Sequence, residues 1–296
     1  MNETKQATGL QIHNTTDAQT KPSIVMLVYG EGGVGKTTFS STGPKPLIID
    51  CEGGAKYFGL RGIDVDVAQV KNWSEMRDVL TIVKGDKYET IVIDPIGELM
   101  DKLKRHMFAM NDSKLVQKDG SPTMAGWGWL KKTMRDYIKV LRDSGKHIIL
   151  IAHIEEKSDE DRMIKRPKIE TKLSDDLVTM VDVVGYMTMV QDEGMTKRVI
   201  IVDPSNDKYT AKDRTGQLGT MIEPDFTKIV EACQGTKTFK WSSTQAQMNE
   251  AKKEGAKKED KKTTKKAETT EETPAAKAKR LAVAAKKKGA KTDASK

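Results

Sequence analysis

The sequence of 296 residues is long enough for one large domain or two small ones. Only 36% of its residues are hydrophobic, a low fraction for a fully packed chain, and its net charge is +8. The two cysteines, Cys51 and Cys233, have no paired spacing and no CxxC motif, which argues against a disulfide framework or a zinc site. No segment approaches 18 consecutive apolar residues, and the polar first 21 residues lack the apolar region of a signal peptide. We therefore expect a cytoplasmic protein that does not engage a membrane.

The positive charge is concentrated near the C-terminus. Residues 251–296 contain 16 Lys and Arg against 7 Asp and Glu, whereas the residues before them contain 35 against 36. The same segment has no aromatic side chain and cannot bury a core. We predict a flexible leader at 1–21, a folded core at 22–235 and a disordered, Lys/Ala/Glu-rich tail at 236–296. The tail is suited to weak, salt-dependent binding of polyanions, and a tail that only keeps the protein soluble is the alternative.

Strand and helix patterns alternate along the predicted core. This alternation is typical of an α/β fold with a mainly parallel sheet. The predicted strands are 24–29, 47–50, 90–94 and 147–152, and the predicted helices are 74–84, 97–110, 129–142 and 224–233. Residues 181–190 and 196–202 are predicted to form an antiparallel hairpin at the edge of the sheet.

Residues 30–37 form the pattern G-x-x-x-x-G-K-T, a phosphate-binding loop. An apolar strand precedes the loop and a helix start follows it, so the backbone N–H groups of the loop converge on the phosphates of a nucleotide. Lys36 is predicted to reach the β- and γ-phosphates, and the Thr37 hydroxyl to ligate Mg²⁺. The predicted nucleotide-binding residues are Gly30, Glu31, Gly32, Gly33, Val34, Gly35, Lys36, Thr37 and Thr38.

Polar side chains follow three further strands of the predicted sheet. Asp94 ends the strand 90–94, as a carboxylate that holds the Mg²⁺ shell would, although it could instead cap the next helix. Many motor ATPases carry a water-orienting Glu directly after this Asp, but here that residue is Pro95. Glu52, just beyond the strand 47–50, is therefore the better candidate to orient the attacking water. A turn acid is the alternative for Glu52. His153 ends the strand 147–152, where it is either a sensor of the γ-phosphate or a solvated strand end.

This series of motifs resembles the RecA/RadA recombinase core. Within that group it is most similar to phage nucleotide-binding ATPases that consist of the core alone and are implicated in single-strand annealing. The short link from Phe39 to Pro46, followed at once by L-I-I-D-C-E-G-G, is typical of them. The resemblance spans residues 23–233 and implies a RecA-like fold, an ATPase, ATP and Mg²⁺ as cofactors, and a phage protein acting in a bacterial cell.

The resemblance also implies roles for individual residues. Glu52 matches the catalytic glutamate and Asp94 the Walker B aspartate, while His153 stands where recombinases commonly have Gln. Lys212 and Arg214 resemble a K-x-R finger that reaches the γ-phosphate of ATP bound to a neighbouring subunit, which implies a homo-oligomer with ATP at its interfaces. A basic surface turn is the alternative for this pair.

Nucleic acid is predicted to bind beyond His153. Recombinase cores place a DNA-binding loop there, and Lys165, Arg166 and Lys168 could contact phosphates, although a solvated β-hairpin fits the sequence equally well. Trp127, in the connection 114–129, could stack on a base, but core packing is favoured.

The sequence therefore predicts a Mg²⁺-dependent ATPase that binds single-stranded DNA and assists phage-type recombination or annealing, with a single-strand DNA-binding protein as a further partner. One alternative is a DNA-partitioning ATPase, which is disfavoured because Glu31 stands where such proteins carry a signature lysine. The other is a non-catalytic annealing scaffold that ATP holds together.

Overall fold

The computed structural model describes residues 21–159, 162–170, 172–192, 194–205 and 208–236. The predicted leader, apart from Lys21, and the predicted tail, apart from Thr236, lie outside the described residues. Within the described ranges, no helix is both long and apolar enough to cross a membrane.

The described part of the chain forms one sheet with helices on both faces. The strands are β1 (Val25–Gly30), β2 (Pro46–Asp50), β3 (Asp66–Gln69), β4 (Thr90–Asp94), β5 (His147–Asp159), β6 (Arg162–Lys168), β7 (Val183–Asp192), β8 (Met195–Ile201), β9 (Lys212–Asp213) and β10 (Met221–Ile222). The α-helices are α1 (Lys36–Ser40), α2 (Met76–Val83), α3 (Ile96–Ala109), α4 (Met124–Arg142), α5 (Leu173–Met180) and α6 (Phe226–Cys233). Short 3₁₀ turns span Gly54–Tyr57, Gly59–Arg61 and Trp73–Glu75.

The strand order is β10-β8-β7-β1-β5-β4-β2-β3, with β6 paired to β5 and β9 to β7. The strands from β7 to β3 are parallel, and β8 and β10 add antiparallel pairs at one edge. The strand that leads into the phosphate loop is separated from the strand that ends in Asp94 by β5. The predicted α/β class, with a mainly parallel sheet and an antiparallel edge hairpin, is confirmed.

The core lies in two layers, one on each face of the sheet. Val25, Leu27 and Tyr29 of β1 pack with α2, α3, α4 and α5, whereas Met26 and Val28 pack with α1 and α6 on the other face. Because successive side chains of a strand point to opposite faces, a strand covered on both sides must be apolar throughout. This explains the continuous apolar runs of β1, β4 and the first half of β5.

Helix α4 begins at Met124, five residues before the start that the sequence predicts. The Thr123 hydroxyl accepts a hydrogen bond from the Gly126 backbone N–H at 3.0 Å and so caps the helix, a signal that the glycines nearby obscure. The prediction of a connection over 114–129 is therefore wrong from Met124 onward, where the chain is helical. Trp127 and Trp129 lie on α4, partly buried against the core, and Lys104 Nζ lies 5.6 Å from the centre of the Trp127 ring.

Strand β5 is longer than predicted. After its parallel pairing with β1 ends at His153, it continues as one arm of an antiparallel hairpin with β6, from the pair His153–Lys168 to the pair Asp159–Arg162. The charged segment after His153 is thus a β-hairpin that extends from the carboxyl end of the sheet.

Candidate nucleotide-binding site

The phosphate loop encloses the side chain of Lys36. Only 8% of this residue is exposed, and its Nζ donates hydrogen bonds of 2.8 Å to the carbonyl oxygens of Gly30 and Glu31. Gly35 precedes α1 with φ of 104°, in the left-handed region that side chains other than glycine rarely adopt. The turn from loop to helix therefore requires glycine, and it holds the lysine over the loop.

Three carboxylates face the ammonium group of Lys36. Burial lowers the pKa of Lys36, and the nearby charges of Asp94, Glu52 and Glu31 act in the opposite direction. The loop lysine thus connects the phosphate loop electrostatically to the ends of β2 and β4.

Asp94 lies at the carboxyl end of β4 and is 4% exposed. Burial is the main cause that raises the pKa of its carboxyl to about 6, the charges of Glu52 and Asp50 add to the rise, and hydrogen bonding by Thr37 opposes it. Its Oδ2 is buried and has no hydrogen-bond partner among the described residues. A buried carboxylate oxygen without a donor is costly unless a cation completes its coordination.

The pair of Thr37 and Asp94 fits a hard divalent cation. Hydroxyl and carboxylate oxygens are the ligands that Mg²⁺ accepts, and Mg²⁺ usually takes its remaining ligands from phosphates and water. Consistent with this, the described residues contain no group of three or more His, Cys, Asp or Glu side chains that could hold a metal by themselves.

Glu52 stands on a turn that Asp50 organises. Asp50 Oδ1 accepts hydrogen bonds from the backbone N–H groups of Glu52, Gly53 and Gly54 at 3.1, 2.7 and 3.2 Å, and its Oδ2 accepts one from Ala55 at 3.1 Å. Four donors on one buried carboxylate fix the path of the backbone beyond β2. Sequence reasoning missed this role of Asp50, although an Asp followed by two glycines is a usual signal for a side chain that bonds to the next turn.

Glu52 and His153 meet across the site. Glu52 Oε2 lies 3.4 Å from His153 Nε2, and their side chains are 38% and 44% exposed. A methyl group built on Gly54 would lie 3.8 Å from both Glu52 Oε1 and Thr37 Oγ1, so the glutamate also adjoins the predicted metal ligand. The structure therefore brings Lys36, Thr37, Glu52, Asp94 and His153 to one place.

The predicted nucleic-acid residues lie on the β5–β6 hairpin, and two of them have intramolecular partners. Lys165 Nζ donates a hydrogen bond of 3.2 Å to the Tyr186 hydroxyl, and Arg166 Nε donates one of 2.6 Å to Glu155 Oε1. Lys168 is exposed next to the sheet. The hydroxyl of Tyr29, which directly precedes the phosphate loop, lies 3.0 Å from the carbonyl oxygen of Lys165, so the hairpin is connected to β1.

Lys212 and Arg214 lie beside the amino end of β7. Lys212 Nζ donates to the carbonyl oxygens of Val178, Thr179 and Val181, and Arg214 donates to Thr179 at 2.8 Å. In register, Lys212 pairs with Val184 and thus lies level with Leu27, three residues before Gly30. These cations therefore close the C-terminus of α5 and do not join the phosphate loop of their own chain. Their predicted role at a neighbouring subunit stays a prediction.

A family model described as an AAA domain, AAA_24, matches residues 23–215, well over half of the chain. The chain belongs to the AAA_24 family. Family membership and the loop geometry together identify an AAA-type P-loop NTPase, which binds a nucleotide with a divalent metal.

The individual relatives are distant. The SPbeta prophage-derived uncharacterized protein YorG of Bacillus subtilis (strain 168) is 23% identical over 215 residues, which are 69% of this chain and 62% of YorG. This chain thus matches about three fifths of the length of that relative. Among solved structures, KaiC-like protein PH0186 from Pyrococcus horikoshii OT3 is 14% identical, with a TM-score of 0.37 over 61% of this chain and 78% of that one. Flagellar accessory protein FlaH from Methanocaldococcus jannaschii is 13% identical, with a TM-score of 0.36 over 64% and 80%.

Proposed function

We propose that this protein is a Mg²⁺-dependent ATPase that binds single-stranded DNA and assists phage-type recombination or single-strand annealing. The observation that carries the proposal is the meeting of Lys36, Thr37, Asp94, Glu52 and His153 at the carboxyl end of the sheet. The prophage origin in the name of YorG is compatible with a phage process.

The residues of the site have distinct tasks in this proposal. Lys36 leaves its two loop carbonyls to hold the β- and γ-phosphates, and Thr37 and Asp94 hold the Mg²⁺. When bound, Mg²⁺ neutralises charge that develops on the phosphate oxygens. Glu52 orients the attacking water and accepts its proton, since its carboxylate is accessible and its backbone is fixed by Asp50.

His153 connects the site with the proposed DNA contact. It lies level with Gly30 of the phosphate loop and is also the first residue of the β5–β6 hairpin. A change in its contact with Glu52 on nucleotide binding would reach the hairpin directly through β5. Lys165, Arg166 and Lys168 would then contact DNA phosphates, with an affinity that falls steeply as salt increases.

We also propose that the ATP lies between two copies of the chain. Lys212 and Arg214 would act on the nucleotide of the neighbouring copy, because in their own chain they bond to carbonyl oxygens at the C-terminus of α5. A single-strand DNA-binding protein is a further proposed partner.

The test is ATP hydrolysis with and without single-stranded DNA, for the wild type and for Glu52→Gln. We expect turnover that DNA stimulates, and a loss of about 100-fold or more in Glu52→Gln with ATP binding retained, since a positioned general base contributes about 10²–10⁴-fold. Glu89→Gln is the matched control, because Glu89 lies beside the amino end of β4 in an exposed ion pair with Lys45.

Each result separates the proposed function from an alternative. Turnover that ignores DNA would contradict the DNA-linked part of the proposal. Absence of turnover in the wild type, with ATP binding intact, would contradict an ATPase and favour an annealing scaffold that ATP holds together.

A further inference from the structure

A chamber of about 260 Å³ opens beside the phosphate loop on the side of β7 and β8. This volume is somewhat below the usual range of about 300–1,000 Å³ for small-molecule pockets. Residues from the loop, from α1 and from five other parts of the chain line it. They include Thr38, Thr42, Arg61, Met187, Arg198 and Pro224.

The direction of the bound nucleotide follows from the strand order. The carboxylates that face the terminal phosphate stand on β4 and after β2, whereas Met187 and Arg198 stand on β7 and β8, on the other side of β1. A triphosphate whose terminal phosphate points toward Asp94 and Glu52 therefore leads its nucleoside toward the chamber.

Two arginines line the chamber. Arg198 crosses the phosphate loop so closely that a methyl group built on Gly35 would lie 3.4 Å from its Cδ and Nε. Its guanidinium has no hydrogen-bond or carboxylate partner among the described residues. Arg61 lies 6.0 Å from the ring centre of Phe58, and no acidic side chain from the described part of the chain lines the chamber. Guanidinium planes stack well on flat aromatic rings, so two arginines favour a ligand that carries such a ring, as a nucleobase does.

The chamber offers few groups that could distinguish one purine from another. Among the described residues, no carboxylate or amide side chain lies in its lining. The Thr42 hydroxyl already donates to the Phe39 carbonyl and accepts from the Phe226 N–H, at 2.7 Å each. The acids on either side of Pro224, namely Glu223 and Asp225, are both bound to Lys228. Strong discrimination requires a site that hydrogen-bonds the distinguishing group, and the described lining offers no carboxylate or amide side chain for this.

We propose that this chamber is the nucleoside subsite, in which Arg198 and Arg61 hold the base and ribose without reading the base, so that the protein accepts ATP and GTP with similar affinity. The proposal rests on the proposed nucleotide binding at the phosphate loop. It adds a positioning role for Arg198 and a prediction of specificity.

The test compares the affinities of MgATP, MgGTP and inorganic tripolyphosphate with Mg²⁺ for the wild type, Arg198→Ala and Arg61→Ala, by calorimetry. For Arg198→Ala we expect about tenfold weaker binding of both nucleotides, because a cation–π contact with the base is lost, and unchanged binding of tripolyphosphate, which has no base. Arg61→Ala should act in the same direction with a smaller effect. Arg105→Ala, an exposed arginine on α3, is the control and should bind all three ligands like the wild type.

Several results would overturn the inference. Equal losses of tripolyphosphate and ATP in Arg198→Ala would place the guanidinium on the phosphates, and unchanged affinities would remove Arg198 from the site. A wild-type preference of 100-fold or more for one purine would contradict the lack of base readout. If the wild type bound none of the three ligands, the proposed function itself would fail, a result distinct from a failure of the chamber alone.

Discussion

Asp50 and Asp94 occupy equivalent positions on neighbouring strands and differ in what surrounds them. They are register partners at the carboxyl ends of β2 and β4, and each is 4% exposed. Both oxygens of Asp50 accept backbone N–H groups, four in total. Asp94, in contrast, keeps one buried oxygen without a donor in the described part of the chain, and its pKa is raised to about 6.

Hydrogen-bond donors distinguish a structural carboxylate from a ligand-binding one even where sequence position and burial are alike. The donors of Asp50 stabilise its charge and use it to shape the turn that carries Glu52. The charge of Asp94 is tolerated at a cost, and a cation would remove that cost. Burial alone therefore does not assign function here, whereas the number of hydrogen-bond donors does.

The largest expected effect comes from exchanging each aspartate for asparagine. Asp94→Asn should lower turnover by about 100-fold or more, because a metal contributes several kcal/mol to the transition state, while the free energy of unfolding at pH 7 stays the same or rises. Asp50→Asn should instead lower the free energy of unfolding by about 2–3 kcal/mol, since an amide group would face the N–H of Ala55. Denaturant unfolding and steady-state hydrolysis measure the two effects.

Similar behaviour of the two variants would contradict the distinction between a structural Asp50 and a ligand-binding Asp94. A large loss of stability in Asp94→Asn would mean that its carboxylate has a structural partner. Full stability in Asp50→Asn would mean that the turn does not depend on the charge.

The pH dependence of stability tests the raised pKa of Asp94. The carboxyl of an Asp in the unfolded chain ionises with an ordinary pKa of 3.8, and that of folded Asp94 with a pKa of about 6. Below about pH 3 the carboxyl is protonated in both states. Between about pH 4 and 6 the unfolded chain releases this proton first, so the free energy of unfolding falls as pH rises. Above pH 6 the loss is complete and amounts to about 3 kcal/mol, at 1.36 kcal/mol per pKa unit.

The measurement is denaturant unfolding from pH 4 to 8 for the wild type and Asp94→Asn. The difference in stability in favour of the variant should grow between pH 4 and 6 and then stay constant. A difference that does not change with pH would show that the carboxyl of Asp94 titrates normally.

Much of the fold could be predicted because its signals are local. Apolar runs locate β1, β2 and β4 to within one residue, and the phosphate-loop pattern places the first helix. The hairpin beyond His153 was one of two alternatives that the sequence left open, because its charged arms are stabilised by pairing with each other, which composition does not show. The start of α4 was missed because glycine usually ends a helix, whereas Gly126 is inside one, close to the backbone of Leu115.

The site was predictable where its residues follow strands, and unpredictable where they are brought in from elsewhere. Parallel strands align their carboxyl ends, so Glu52, Asp94 and His153 were expected to converge. Arg198 belongs to an antiparallel strand, and only the pairing of β8 with β7 carries it over the phosphate loop. The stabilising role of Asp50 depends on backbone directions that a sequence does not show.

The smallest expected effect tests the turn that Asp50 holds, with two adjacent glycines. Gly53 has φ of 85°, and a methyl group there would meet only Gln69 Nε2 at 3.8 Å, so Gly53→Ala adds backbone strain and little else. We expect a loss of about 1 kcal/mol in the free energy of unfolding.

Gly54→Ala is the matched variant, because Gly54 lies outside the left-handed region and its methyl group would contact Glu52 and Thr37. It should leave stability nearly unchanged and lower turnover, since the methyl group would stand between the proposed base and the proposed metal ligand. The reverse pattern would mean that the turn is held by packing of its own, and that Asp50 and Asp94 differ less than their hydrogen bonds indicate.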